Sequence, residues 1–268
     1  MDGLIGFFCA ASTLYLVGSM GYLSYLFWEK ERLLLLSKFL LGSAFLFHTL
    51  FLGGLVLRRG VLPTDSLFEA TGFFAWTIVA ATFFLSLRYR IGIFGAFSLP
   101  LVFLLVLLAS ALSRGPFLET VSLRNSTFVL HALFSFLGYA AFAITFLTAL
   151  MYLLLERQLK MRQTGRFFRR LPSLELLEQL HEQALAFGLI LLLLGLLFGF
   201  IWSQRLFGGL AKDPKVLLAT LTWFFYLLLL GVRRVGQRRG RRPMAASIAL
   251  FGWILVFFFG VRHSFFAR

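Results

Sequence analysis

Apolar residues in this chain fall into eight long blocks separated by short polar gaps. The blocks run approximately over 3–27, 34–57, 69–87, 91–112, 127–155, 183–203, 215–232 and 245–261. A helix needs about 20 mostly apolar residues to cross a bilayer, and each block is close to that length or beyond it. The pattern predicts an all-α, polytopic membrane protein with about eight transmembrane helices in one bundle. The gaps leave no room for a soluble domain, so residues 1–268 are expected to form a single integral membrane domain.

Composition agrees with the pattern. Hydrophobic residues make up 60% of the chain, charged residues 14%, and the mean hydropathy is +0.88. No soluble domain of this length hides that much apolar surface in one core. The net charge of +15 would suit nucleic acid if the basic residues formed one patch, but they are sorted along the chain. The gaps after blocks 1, 3, 5 and 7 hold 17 of the 26 Lys and Arg residues. These are Lys30, Arg32, Lys38; Arg88, Arg90; Arg157, Lys160, Arg162, Arg166, Arg169, Arg170; and Arg233, Arg234, Arg238, Arg239, Arg241, Arg242. The positive-inside rule places these gaps in the cytoplasm and both termini outside, in an inner (plasma) membrane. The clusters then set topology and touch anionic lipid, with no nucleic-acid partner. Cys9 is the only cysteine, and neither CxxC nor CxxCH occurs. A thiol–disulfide carrier and a covalent c-type cytochrome are therefore excluded. The N-terminus lacks the basic region of a cleavable signal peptide, so block 1 is expected to persist.

Local signals place the candidate chemistry. Pro63 and Asp65 favour a turn between blocks 2 and 3, Asp65 or Ser66 can cap the next helix, and Glu69 falls in its first turn. Between blocks 5 and 6, Leu174, Leu177, Leu180 and Leu185 recur at helical spacing. They predict an amphipathic helix on the cytoplasmic surface, with His181 solvated beside Gln179, Glu182 and Gln183. Gly188, Gly195 and Gly199 predict close helix contact. Block 5 is overlong. Counting about 20 residues back from Glu156 reaches Phe136, which leaves His131 roughly 7 Å beyond the hydrocarbon edge. His263 follows block 8 at a similar height on the same face.

Two imidazoles at one membrane face can hold a flat metal cofactor, haem above all, without covalent attachment. Arg58, Arg59, Arg124, Arg205, Lys212 and Lys215 are then either propionate partners or solvated loop charges. His48 lies near mid-bilayer, where a polar group is costly. It is either a haem ligand or hydrogen-bonded across a helix–helix contact to a Ser, Thr or carbonyl. Trp76, Trp202, Trp223 and Trp253 serve as belt or packing residues, and Trp202 and Trp223, which flank an outer loop, are also candidates for a haem platform. No Walker motif, HExxH or nucleophile elbow occurs, so independent catalytic activity is not expected. A transporter or structural scaffold of the same fold is the alternative. Transporters often carry repeats and broken midplane helices, and neither is evident here.

Several segments, in order, carry a resemblance. They are Pro63-Thr64-Asp65-Ser66-Leu67-Phe68-Glu69 with Phe73-Phe74-Ala75-Trp76; His131-Ala132-Leu133-Phe134-Ser135-Phe136-Leu137-Gly138-Tyr139; Leu174-Glu175-Leu176-Leu177-Glu178; Leu194-Gly195-Leu196-Leu197-Phe198-Gly199-Phe200-Ile201-Trp202; Asp213-Pro214-Lys215 with Leu221-Thr222-Trp223; and Phe259-Gly260-Val261-Arg262-His263-Ser264. The chain resembles the cytochrome c assembly family of haem-handling membrane proteins, the CcsA/ResC and HemX group. The resemblance implies that His131 and His263 ligate a non-covalent haem b on the outer face. It implies too that the loop containing Asp213 lies over the haem, and that cytochrome c assembly or haem-biosynthesis proteins are partners. Two departures bear on activity. The loop reads Phe207-Gly208-Gly209-Leu210-Ala211-Lys212-Asp213-Pro214-Lys215, without the family's tryptophans. The stretch Tyr226-Leu227-Leu228-Leu229-Leu230-Gly231 has no intramembrane histidine. Both favour a HemX-like member that binds or positions haem over a complete haem–cytochrome synthetase.

Overall fold

Eight helices, and among the described residues no strand, make up the fold. The structure, a computed structural model, describes residues 2–28, 30–64, 66–89, 92–112, 126–162, 165, 168–207, 214–236 and 240–261. The helices are α1 (Asp2–Trp28), α2 (Glu31–Arg59), α3 (Leu67–Tyr89), α4 (Phe94–Leu112), α5 (Ser126–Lys160), α6 (Leu174–Phe207), α7 (Pro214–Arg234) and α8 (Arg241–Gly260), with one 3₁₀ turn at Phe168–Arg170. All eight are long and apolar enough to cross a membrane. The eight apolar blocks thus appear as eight helices, and the chain is an all-α, multi-pass membrane protein.

One expectation is corrected. The segment from Leu174 is not a separate surface helix; it is the first part of α6, which continues unbroken to Phe207. The reason is the buried stripe. Leu177, His181, Leu185, Leu189 and Leu192 are all buried and fall at three- to four-residue steps, so one face runs from the polar start into the apolar part. No proline or glycine interrupts it before Gly188. Ser173 starts the helix by accepting the Leu176 N–H at 3.2 Å.

The chain separates into two compact units. The first comprises residues 1–124 with 158–172, and the second residues 125–157 with 173–268. In the first, α1 packs on α2 and α4, and α3 on α2 and α4. Gly60 ends α2 in the left-handed conformation at φ 68°, and its N–H reaches Val56 O at 2.7 Å. Ser66 then caps α3, accepting the Glu69 N–H at 3.1 Å. Buried Glu69 also accepts from Arg59 Nη1 at 2.6 Å. The turn between α2 and α3 is thus closed by an ion pair as well as by a cap.

In the second unit, α5 and α6 run antiparallel in one register. A Cβ on Gly188 would meet Phe142, one on Gly138 would meet Leu192, one on Gly195 would meet Ser135, and one on Gly199 would meet His131. At the far end of the same register Tyr152 and Glu178 interact across the two helices. Helix α8 pairs with α5 through Phe146–Phe251, Tyr139–Phe257 and Phe136–Phe258, with ring centroids 4.8, 6.1 and 6.2 Å apart. Helix α7 joins α6 through Trp223 Nε1–H to Leu189 O at 3.0 Å, and α8 through Trp253 Nε1–H to Thr222 Oγ1 at 3.0 Å.

The seam predicts a contrast between two glycines. A Cβ at Gly138 would lie 2.9 Å from the Leu192 backbone nitrogen, whereas one at Gly252 would meet nothing within 4 Å. Gly138→Ala should destabilise the protein by about 1–3 kcal/mol, the range for overpacking. Gly252→Ala should be neutral or slightly stabilising. Thermal unfolding in detergent checks both.

Candidate functional site

His131 is the sixth residue of α5 and lies on the face that meets α6. Phe128, His131, Ser135, Gly138 and Phe142 form that face, at alternating steps of three and four residues. Opposite them stand Gly188, Leu192, Gly195, Gly199 and Trp202 of α6. The His131 ring donates from Nδ1 to the Gly195 carbonyl at 2.7 Å. It lies so close to α6 that a Cβ on Gly199 would sit 2.6 Å from Nδ1 and 2.9 Å from Cε1. Phe128 packs on both sides of this arrangement, 6.3 Å from the His131 ring and 5.1 Å from the Trp202 ring. Trp202 is 5% exposed, so it forms a buried aromatic wall one turn beyond Gly199. The close helix contact expected from the α6 glycines is present, and it seats a histidine.

The other candidates are distributed as follows. His263 and Asp213, like Asp65, Arg124 and Lys212, lie outside the described residues. Trp223 bonds α6 at Leu189, six residues and about 9 Å along the axis from Gly195, so it is not beside His131. Lys215 lies over the Phe258 ring, 5.4 Å from its centroid, near the end of α8. Arg59 is engaged by Glu69, while Arg58 and Arg205 are exposed. His48 belongs to the first unit. It is 1% exposed, and its Nδ1 lies 3.1 Å from the Tyr15 hydroxyl on α1. Phe8 and Phe51 pack on its ring at centroid distances of 6.3 Å. Its Nε2 has no hydrogen-bond partner and faces Gly72 of α3, whose Cβ would lie 3.8 Å away. A helix-pinning hydrogen bond therefore exists at His48, to a tyrosine rather than to Ser, Thr or a carbonyl.

His181 departs from expectation. It is completely buried, with Nε2 2.7 Å from Ser247 Oγ on α8. Ser247 also lies 3.2 Å from the Pro243 carbonyl, which can only accept its proton. His181 Nε2 and the Pro243 carbonyl thus both meet the Ser247 hydroxyl. Nearby, Glu178 accepts the Gly240 N–H at 3.0 Å and Glu182 accepts from Arg234 Nε at 2.8 Å. Three adjacent side chains of α6 thus tie it to α7, α8 and the turn between them. Polar sequence neighbours hid this role of His181. Its place four residues after Leu177 and four before Leu185 is the signal that reveals it.

Comparison with known proteins fits this arrangement. The cytochrome C assembly protein family matches residues 65–266. The chain is similar to the protein HemX of Brevibacillus brevis, 28% identical over 219 residues that cover 81% of this chain and 80% of that protein. It is also similar to the cytochrome c biogenesis protein CcsA of Prochlorococcus marinus (strain MIT 9312), 27% identical over 226 residues (75% and 73% of the two chains). The CcsA of Guillardia theta is 24% identical over 229 residues (78% and 75%).

Burial of His181 gives a labelling prediction. In a Cys9→Ala background, Glu175→Cys, at an exposed position, should react readily with a water-soluble maleimide. His181→Cys should react slowly until the protein is unfolded. Equal rates in the folded protein would contradict the buried position.

Proposed function

This chain belongs to the cytochrome c assembly protein family, and from that premise we propose that it holds haem b non-covalently for cytochrome c biogenesis or haem metabolism. In this reading His131 and His263 would hold the haem iron at the outer membrane face. The observation that carries it is the α5–α8 register. Phe136 and Phe258 face each other; five residues towards the start of α5 is His131, and five residues beyond Phe258 in the sequence is His263. Both histidines are thus five residues in sequence from one aromatic pair between α5 and α8.

The residues at hand suit the group. An imidazole is the common non-covalent ligand of haem iron, and Phe128 packs against both His131 and Trp202, so aromatic faces stand beside the ring. Those faces exclude water and accommodate a flat, apolar macrocycle. Haem supplies the iron and its redox chemistry; the chain binds and orients it. Lys215, over the Phe258 ring, offers a cation to the propionates, and Asp213 belongs in this reading to the loop that serves them. His48 and Trp223, each bonded into a helix seam, serve packing. With its loop lacking tryptophans, the protein works beside assembly or haem-biosynthesis partners and has no cytochrome c synthetase activity of its own. The sorting of the basic residues supports an orientation with the His131 end and both termini outside an inner membrane.

The purified protein should carry haem in about one-to-one ratio, with the absorption bands of low-spin bis-histidine iron. His131→Ala or His263→Ala should remove or shift those bands, while His181→Ala should leave the iron ligation intact. External imidazole should restore the bands in the two ligand variants, because it refills the vacated position. A protein that takes up no haem, or three variants that behave alike, would support a haem-free scaffold or transporter instead.

Orientation is tested separately. Reporter fusions after Arg170 and Arg242 should report cytoplasm, and fusions after Arg124 and Arg268 the outside. The reverse pattern would place His131 at the cytoplasmic face and end the proposal of an outer site.

A further inference from the structure

We infer that α6 selects the iron-binding atom: the Gly195 carbonyl and the bare Cα of Gly199 hold His131 as the Nδ1–H tautomer, so that Nε2 is the ligand. This rests on the haem reading for the identity of the metal, but the tautomer itself follows from the geometry.

The contact between His131 Nδ1 and Gly195 O is 2.7 Å. A carbonyl oxygen has no proton to give, so the hydrogen must be on Nδ1. Neutral imidazole carries only one N–H, and the lone pair is therefore on Nε2. The same polarity recurs in metal sites. A ligating histidine commonly donates its other N–H to a carbonyl or carboxylate, which fixes the ring plane and makes the ligand nitrogen more basic. Within a regular helix the Gly195 carbonyl already accepts the N–H four residues on. Its second lone pair is the one His131 uses.

Access to that lone pair is ordinarily blocked by side chains. Here the ring occupies the space where a Gly199 Cβ would stand, 2.6 Å from Nδ1. Gly195 clears the neighbouring turn, since a Cβ there would lie 2.9 Å from the Ser135 nitrogen. The two glycines are one helical turn apart on one face of α6. Together they form a seat that admits the imidazole edge-on, with the Gly195 carbonyl as the acceptor for Nδ1–H. Gly195 and Gly199 are thus positioning residues, acting through His131.

The test uses the full-length protein in nanodiscs, with ¹⁵N in the histidine rings. Assigned against His131→Ala, the haem-free protein should show His131 as neutral Nδ1–H, with Nε2 unprotonated. Gly199→Ala should disperse or reverse that signature and lower haem affinity about 10–100-fold, the usual cost of losing such a supporting contact. Gly252→Ala should change neither. An Nε2–H tautomer in the unmodified protein overturns the inference outright, even if Gly199→Ala does not fold. So does a Gly199→Ala protein that folds with the original tautomer and affinity. If the Nδ1–H tautomer is found but haem never binds, the seat stands and the assignment of iron to it falls. If haem binds through His131 in the other tautomer, the haem reading stands and the selection by α6 falls.

Discussion

Hydrocarbon offers no hydrogen bonds, and this one constraint governs almost every polar atom in the chain. It forces the backbone into helices, which satisfy their own amides. It also favours short hydroxyls that turn back onto their own helix. Ser12, Thr13, Ser37, Thr49 and Thr71 all donate to the carbonyl four residues back on their own helix. Longer polar side chains reach partners on other helices instead. The three described histidines, Trp76, Trp223 and Trp253 do so.

The three described histidines solve that problem differently, and the differences separate their roles. His48 meets a tyrosine hydroxyl, a group that can give or take a proton, so the contact tolerates either tautomer. His181 meets a serine that also meets Pro243 O, and the result ties α6 to α8. His131 alone meets a backbone carbonyl, which fixes its proton and therefore its lone pair. A membrane hydrogen bond of this type is worth on the order of 0.6 kcal/mol to stability. Its larger effect here is on chemistry, because it determines which nitrogen can serve a metal.

Much of the fold was legible in the sequence because the bilayer imposes a length on every span. The eight apolar blocks correspond to the eight helices, and Ser66 caps α3 as one of two residues expected to do so. The start of α6 was not legible as part of a span. Leu174–Glu182 is polar on one face, and composition counts residues without regard to face. The same blindness hid His181, whose neighbours Gln179, Glu182 and Gln183 point elsewhere on the helix. At the candidate site, His131 stood out by residue type and position, and the role of the α6 glycines as close-contact residues was visible too. What could not be read was that the two meet. A contact across 64 residues of sequence depends on the α5–α6 register, which nothing local encodes.

That register has a mechanical consequence. Tyr152 and Glu178 interact near one end of the α5–α6 pair, and His131 rests against Gly199 near the other. Twenty-one residues of α5 separate the two points, an arm of about 31 Å. A tilt of only about 3° around the Tyr152 end would carry α6 about 1.6 Å past His131, more than a hydrogen bond can stretch. The aromatic pairs between α5 and α8 oppose such a tilt. The grip on one imidazole is therefore set by leverage between two helices, and anything that pushes on the far tip of α6 acts on it with the full length of the arm.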